Sequence, residues 1–253
     1  MHQKEFDDLF SSKKVIGFHQ ANKKMREMVI GNGNELYSYL RRLQDNDEVF
    51  NDMDELEIIF EGNRLLLNFL NSFRAFLDHS SQGYLTKNHK KDYEDLISRF
   101  YDSNFSYRFF YKLRNFITHY SFPFTTVEQS YERTFLKVRK EDLLEFEKWG
   151  AIKNEVEELE EEIDLVPYIK EFIPIINALS IQKMYYYKEQ IMEAHKTAVK
   201  YVQECGGTFG FINTPSRSEF KNKNFNIIPF TLSDLHEAAK DLNDHPHINV
   251  NFN

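Results

Sequence analysis

Apolar residues recur at intervals of three and four positions along most of the chain, and few glycines or prolines interrupt them. Residues at these intervals share one face of an α-helix, so the pattern predicts a mainly α fold. The predicted helices cover residues 20–44, with a break or bend near Gly31–Asn34, and residues 48–79, 88–121, 141–163, 167–205 and 231–243.

The predicted helix at 48–79 carries a long apolar face, which requires neighbouring helices to cover it. Its members are Leu56, Ile59, Phe60, Leu66, Leu67, Leu70, Phe73 and Leu77. A short polar link at 80–88 leads into the next predicted helix. Two long helices joined by so short a link lie antiparallel, which predicts an up-and-down helical bundle.

Three segments favour β-strands, because they are rich in aromatic and β-branched residues and are bounded by turn-forming residues. They cover residues 131–140, 207–212 and 224–230. We expect them to pair into a small sheet in a C-terminal α/β addition. The predicted organisation is a helical domain at 1–205, with an acidic helical insertion near 141–164, and a small extension at 206–253.

The net charge of −8 is concentrated in one stretch of the chain. Residues 141–164 contain 11 acidic and 2 basic side chains, so the remainder is close to neutral. Such a run usually forms a solvated helix face. It could instead dock a basic partner in a structural scaffold, confine RNA to one face, or mask a site. Residues 84–114 are mildly basic, with 7 basic and 4 acidic side chains.

Targeting signals and cysteine usage bear on the compartment. The first residues lack the apolar segment of a secretion signal, and no window approaches the roughly 20 apolar residues of a membrane span. Cys205 is the single cysteine, so it has no partner for an internal disulfide. We therefore expect a cytoplasmic protein with no membrane partner.

The segment FFYKLRNFITHYSFPF, at 109–124, places polar residues inside an aromatic helix. At 100° per residue, one predicted buried stripe consists of Phe109, Leu113, Phe116 and Tyr120. Asn115 and His119 lie together on one flank of that stripe, and Arg114 lies on the other. One helix alone does not bring the three together, but a second copy across a two-fold axis would do so.

These three residue types suit phosphodiester chemistry. An imidazole can take or give a proton at neutral pH, and a guanidinium fork matches phosphate oxygens. The amide of Asn115 can orient the imidazole of His119 or donate to the phosphate. RNA brings its own nucleophile, the 2'-hydroxyl, so we expect neither a metal nor a cofactor.

The order Arg114, Asn115 and His119 resembles the Arg-x4-6-His motif of the HEPN superfamily, in which a polar residue often follows the arginine. The resemblance covers roughly residues 48–123. It implies a homodimer in which two motif helices form a composite site that cleaves RNA without a metal, leaving a cyclic phosphate and a 5'-hydroxyl. Many such proteins are toxins or act in defence against phage, so an antitoxin or regulatory partner is also implied.

Flanking residues are candidate RNA contacts, because aromatic rings stack on unpaired bases and basic groups meet phosphates. We predict this role for Tyr107, Tyr111, Arg108 and Lys112. On the preceding helix, Arg74 and His79 repeat the Arg-x4-His spacing without the asparagine, and we predict that they are structural or contact RNA.

Two structural alternatives remain open for the motif. Asn115 and His119 could simply bond to a neighbouring helix, and Arg114 could pair with Glu61 or Asp78 on the preceding one. The alternative function is a non-catalytic helical module that uses the same groove to hold a nucleotide, RNA or a protein partner.

A second polar cluster occurs near the C-terminus, where Asp241, Asp244, His245 and His247 could in principle hold a metal. A polar chain end is more often mobile, so we predict no metal site there.

Overall fold

The computed structural model describes residues 3–50, 52–80, 85–129, 133–204, 209–213, 221, 226–230 and 232–248. The fold is mainly helical, as predicted. The helices are α1 (Gln3–Gln44), α2 (Glu55–Ser80), α3 (Lys87–Ser103), α4 (Phe105–His119), α5 (Lys140–Leu144), α6 (Lys153–Glu157), α7 (Val166–Tyr186), α8 (Lys188–Glu204) and α9 (Leu232–Asn243). The strands are β1 (Phe124–Gln129), β2 (Thr134–Arg139), β3 (Glu162–Ile163), β4 (Phe209–Asn213) and β5 (Asn226–Phe230).

Helix α1 begins at Gln3 and continues without interruption through Gly31–Asn34. The prediction of a helix that starts near residue 20 and breaks at these glycines was therefore wrong. Gly33 has a packing role: a Cβ atom there would lie 3.1 Å from Cε2 of Phe69. Close approach of the Phe69 ring, rather than a turn, accounts for this glycine, and tertiary packing overrides its low helix propensity.

The predicted helix at 88–121 is divided in two at Asn104, which has an extended backbone (φ −127°, ψ 113°). Arg108, in the first turn of α4, donates to the carbonyl oxygen of Tyr101 at 2.7 Å and also to that of Asp102. These carbonyls belong to the last turn of α3, which lacks partners within its own helix. The guanidinium therefore caps α3 and fixes the angle at the break.

The chain packs as two compact units. We call Met25–Ser81 with Glu94–Ser180 the motif unit, and Met1–Lys24, Gln82–Tyr93 and Ile181–Asn253 the terminal unit. The division differs from the predicted boundary after residue 205, because the first half of α1, up to Lys24, and α8 pack with the C-terminal residues.

In the motif unit, α2 and α4 are antiparallel, as predicted. Phe73 contacts Tyr107, with ring centroids 5.2 Å apart, and Phe69 contacts Phe110 at the same distance. Further along, the Asn63 side chain donates to the carbonyl oxygen of Phe124 at 2.7 Å. The residue numbers of these contacts decrease along α2 while those of their partners increase along α4 and the segment after it, so the two run in opposite directions. This aromatic layer, which includes a ring of α7, holds α4 in place.

A three-stranded antiparallel sheet in the order β1-β2-β3 lies beside α2. Val127 pairs with Leu136, and Val138 pairs with Ile163. The strand predicted at 131–140 is confirmed by β2, but its partners are β1, which was not predicted, and β3. The predicted C-terminal strands pair separately with each other as β4 and β5. The expectation of a single small sheet was therefore wrong.

The acidic stretch at 141–164 is not one helix, contrary to the prediction. It comprises α5, a 3-10 segment (Glu147–Ile152), α6 and β3. An extended Phe146 and a left-handed Gly150 (φ 63°) separate the pieces. Its apolar residues turn inward: the Trp149 ring stacks on Phe109 of α4 at 6.0 Å. Most of its carboxylates face solvent, as predicted for a solvated acidic surface.

The terminal unit buries a lysine. The amine of Lys183 donates to Oδ1 of Asn22 at 2.6 Å and lies 4.8 Å and 5.8 Å from the ring centroids of Phe18 and Tyr93. Within the described residues it pairs with no carboxylate. Burial lowers the pKa of Lys183 to about 7.

Asp241, one member of the C-terminal polar cluster, accepts hydrogen bonds from His19 at 2.9 Å and Lys23 at 3.0 Å. Burial raises the pKa of Asp241, but these hydrogen bonds more than offset that effect, so the pKa lies below its usual value. His245 bonds through Nε2 to the carbonyl oxygen of Ile181. In the described ranges, no group of three or more His, Cys, Asp or Glu residues is arranged to hold a metal.

Over the same ranges, no helix is both long enough and apolar enough to cross a membrane.

Candidate functional site

Helix α4, which carries Arg114, Asn115 and His119, has one well-buried face. Phe109, Leu113 and Phe116 are fully buried, as the predicted stripe requires. Tyr120 is 48% exposed, because the helix ends at His119, and this corrects its assignment to the stripe. Its hydroxyl donates to Glu145 at 2.5 Å, and this carboxylate raises the pKa of Tyr120. The stripe therefore anchors the helix up to Phe116 and leaves its last turn at the surface.

Arg114 and Asn115 both line a small crevice between α2 and α4, with a volume of about 10 Å³, which is room for one water molecule. Its other lining residues are Leu70, Phe73, Arg74, Leu77 and Tyr111. The crevice thus has an apolar floor and two guanidinium groups at its edge. The structure brings together two of the three motif residues, although the helical wheel had placed them on opposite flanks.

The charge of Arg114 is not neutralised by any carboxylate in the part of the chain that the structure describes. Its side chain is half-buried, and its Nε atom is covered and makes no hydrogen bond. The two carboxylates considered as partners are engaged elsewhere: Glu61 accepts from Arg64 at 2.7 Å, and Asp78 accepts from Arg74 at 3.0 Å. Within the described residues Arg114 forms no ion pair. The alternative in which Arg114 pairs with Glu61 or Asp78 was therefore wrong.

His119 is the last residue of α4 and is exposed. It does not line the crevice that holds Arg114 and Asn115. The hydroxyl of Thr118 donates to the carbonyl oxygen of Arg114 at 2.7 Å, so the backbone of this turn is held while the imidazole stays in solvent. One chain therefore presents the Arg114 guanidinium in a crevice and an accessible imidazole at the end of the same helix.

Two of the predicted RNA contacts are structural. Tyr107 is only 1% exposed, between the rings of Phe73 and Tyr101, so no base can stack on it. Arg108 caps α3 and forms an ion pair with Glu155 of α6. Both terminal nitrogens of its guanidinium already donate to these acceptors, so they are not available to a phosphate. These two predictions are corrected.

The remaining predicted contacts stay closer to solvent. Tyr111 and Lys112 are half-buried on α4, and the Lys112 amine lies beside Gly150. Arg74 pairs with Asp78 and donates to the Tyr111 hydroxyl at 3.3 Å, so most of its charge is compensated. His79 is half-buried near the end of α2.

A larger groove opens next to the crevice, between α2, α3 and α4. Its volume is about 560 Å³, and Arg74, Leu77 and Tyr111 line both spaces. Its remaining lining residues are Asp78, Ile97, Ser98, Tyr101, Asp102 and Tyr107. Sequence reasoning missed Tyr101 and Asp102. The available signal was the spacing of Ile97, Ser98, Tyr101 and Asp102, which places them on one face of a helix.

Three large apolar side chains on α2 and in the segment after α4 are exposed. Leu56 and Phe60 are 75% and 70% exposed, although both were predicted to be on the buried face. Phe122, three residues after His119, is 53% exposed. Asn63 bonds to both backbone polar groups of Phe124, so the segment that follows Phe122 is fixed to α2. We call Leu56, Phe60 and Phe122 the apolar surface.

Comparison of the chain with protein families, with curated proteins and with solved structures finds no match.

Proposed function

We propose that this protein is a metal-independent endoribonuclease that cleaves RNA by attack of the 2'-hydroxyl on the adjacent phosphate. The observation that carries the proposal is the state of Arg114, a half-buried guanidinium that has no carboxylate partner among the described residues and lies beside Asn115 in a surface crevice. A cation without a counter-ion favours an anionic ligand, and the guanidinium fork fits two phosphate oxygens.

In the proposed mechanism, the imidazole of His119 accepts the proton of the 2'-hydroxyl or delivers a proton to the leaving 5'-oxygen. The bond from O2' to phosphorus forms, and the bond from phosphorus to O5' breaks. Arg114 stabilises the negative charge that builds on the non-bridging oxygens, and Asn115 orients the phosphate. The products are a 2',3'-cyclic phosphate and a 5'-hydroxyl end.

The proposal requires a second copy of the chain, because His119 lies outside the crevice that holds Arg114. Two large aromatic rings and a leucine are exposed on α2 and after the end of α4, and exposed apolar surface of this kind often marks an interface. The apolar surface beside the end of α4 suits a two-fold contact that brings His119 of one copy to Arg114 of the other. This arrangement is the one that the resemblance to the HEPN superfamily implies.

The first experiment measures cleavage of a single-stranded RNA in EDTA by the purified protein, with product ends identified by mass spectrometry. His119→Ala and Arg114→Ala should each reduce the rate by a factor on the order of 100 or more while far-UV circular dichroism is unchanged. Cleavage that persists in both variants would contradict the proposal. Retention of RNA without any product would favour the non-catalytic binding module instead.

Mixing the two inactive variants tests the composite site. In a random mixture, half of the dimers pair one His119→Ala chain with one Arg114→Ala chain, and one of the two sites in each such dimer keeps both groups. About one quarter of the wild-type activity should return. If both groups acted within one chain, mixing would restore nothing.

Substitutions on the apolar surface test the interface. Phe60→Glu should shift the protein to monomers in analytical ultracentrifugation and abolish cleavage without unfolding it. Met28→Glu is the matched control, since Met28 is an exposed apolar residue of α1 outside this surface. If Phe60→Glu leaves both the mass and the activity unchanged, the apolar surface is not the interface.

The biological role as a toxin or phage-defence effector is tested by expression in a bacterial host. Growth arrest with new 5'-hydroxyl RNA ends is expected for the wild type and not for His119→Ala. Growth arrest by both proteins would show that toxicity does not depend on the proposed chemistry.

A further inference from the structure

The groove between α2, α3 and α4 has a composition that suits a nucleobase better than a phosphate. Its charged groups are Arg74, Asp78 and Asp102. Arg74 and Asp78 form an ion pair with an N–O distance of 2.8 Å, so their charges compensate each other. The carboxylate of Asp102 forms no ion pair or hydrogen bond among the described residues. The groove therefore has a net negative charge and would repel a phosphate.

Two tyrosine rings supply surfaces for stacking. The rings of Tyr101 and Tyr111 meet edge to face, with centroids 5.8 Å apart, and both side chains are half-buried. The guanidinium carbon of Arg74 lies 6.0 Å from the ring centroid of Tyr111, and the Tyr111 hydroxyl accepts from Arg74. These contacts hold the Tyr111 ring in one orientation before any ligand arrives. A preorganised aromatic ring is the usual platform for an unpaired base.

The groove is continuous with the crevice of the motif. Arg74, Leu77 and Tyr111 line both, and Arg114 lies one turn of α4 beyond Tyr111. A strand whose phosphate meets Arg114 can therefore place a neighbouring base over Tyr111. The volume of about 560 Å³ is sufficient for one nucleotide.

We propose that this groove is a base-selective subsite, in which one base next to the cleaved phosphate stacks on Tyr111 and donates an exocyclic amino group to Asp102. The inference rests on the proposed ribonuclease function for its biological meaning. A carboxylate accepts from the amino group of cytosine, adenine or guanine. Uracil has carbonyl oxygens in place of that group, and these are repelled by the carboxylate. The subsite thus selects amino-bearing bases and disfavours uracil.

Selectivity is measured by cleaving a short RNA library with one randomised region and sequencing the new ends. At one position beside the cut, uridine should be about tenfold less frequent than the three other bases, because a hydrogen bond to a charged acceptor is lost. Asp102→Asn should reduce this discrimination to about twofold, since the amide can also donate to a uracil oxygen. Asp92→Asn, on the exposed surface of the same helix but outside the groove, is the matched control and should keep it.

The stacking platform is tested separately. Tyr111→Ala should weaken binding of an amino-bearing oligonucleotide by about tenfold, whereas Tyr111→Phe, which keeps the ring, should bind nearly as well as the wild type. Binding is measured by fluorescence anisotropy with 2'-O-methyl hexamers of adenosine, cytidine or uridine, which cannot be cleaved through O2'.

These assays separate the two proposals. If no RNA is cleaved but the adenosine and cytidine hexamers bind more tightly than the uridine hexamer, in an Asp102-dependent manner, the subsite stands and the ribonuclease function fails. If cleavage occurs with no preference, or with a preference that Asp102→Asn leaves unchanged, the subsite is refuted while the ribonuclease function stands. Binding of a lysine-rich peptide in preference to every hexamer would also overturn the subsite.

Discussion

The buried amine of Lys183 makes the stability of the protein depend on pH in a calculable way. In the folded protein its pKa is about 7, because burial disfavours the charged form, whereas the unfolded chain has the ordinary value of 10.5. Between these two values the unfolded state binds more protons than the folded state. The free energy of unfolding therefore rises with pH in this range, and the contribution is lost as the pH falls through 7.

The size of the effect follows from the two pKa values. Raising the pH from 6 to 9 should increase the free energy of unfolding by about 3 kcal/mol through Lys183 alone. Lys183→Met keeps a side chain of similar length and removes the ionisable group. The difference in stability between the wild type and this variant should therefore change by about 3 kcal/mol over the same range, in favour of the wild type at high pH.

The assay is urea unfolding followed by far-UV circular dichroism at pH 6, 7.5 and 9. Other ionisable groups are common to both proteins, so they cancel in the difference. Lys200→Met is the control, because the Lys200 side chain is 65% exposed and its amine is already in water. A difference between wild type and Lys183→Met that stays constant across the three pH values would refute the reasoning.

Three further predictions concern packing. Gly62→Ala should destabilise the protein by about 1–3 kcal/mol in urea unfolding, because the added Cβ would lie 2.2 Å from Cδ2 of Leu136. Gly31→Ala should instead stabilise α1 by up to about 1 kcal/mol, because no atom lies within 4 Å of the added Cβ. Equal effects of the two alanines would contradict this account. Arg108→Met should lower the unfolding free energy by about 2–4 kcal/mol through loss of the α3 cap and the Glu155 pair, and Arg108→Lys should not restore it because lysine lacks the planar fork. Trp149→Phe should cost about 1–3 kcal/mol in the same assay, because the carbonyl oxygen of Leu143 loses the donor that Trp149 Nε1 supplies at 2.6 Å; an unchanged stability would show that this carbonyl finds another partner.

The recurrence of apolar residues every three or four positions was enough to predict the helical class and the antiparallel pairing of α2 and α4. It failed where a single residue decides the path of the chain. The glycines of α1 act as breakers in isolation, but Gly33 is a contact for Phe69. The break at Asn104 depends on Arg108, whose partners are the carbonyls of Tyr101 and Asp102 and cannot be identified from spacing. Strand β1 was missed because an irregularity between Phe124 and Val127 interrupts its alternation.

The candidate site was predictable in its residue types more than in its geometry. The sequence indicated that Arg114, Asn115 and His119 lie off the buried stripe, and the structure places two of them in one crevice. Burial of Tyr107 and the commitment of Arg108 to Glu155 depend on α7 and α6, which a helical wheel of α4 does not include. The groove with Asp102 arises from three helices and from the break between two of them, so a motif within one helix could not reveal it.

The acidic stretch at 141–164 packs against α4 on one side, and this limits which residues can be deleted from the protein. Trp149 stacks on Phe109 and Phe116, so it forms part of the aromatic packing beneath α4. The charge pattern does not indicate this role, because Trp149 lies in a stretch predicted to be a solvated acidic surface. Excising residues 141–164 would leave those rings facing water and would remove the acceptor of Arg108. A trimmed protein intended to retain the last turn of α4 in its native orientation must therefore keep this stretch, and any change to its charge is better made by substituting its outward carboxylates.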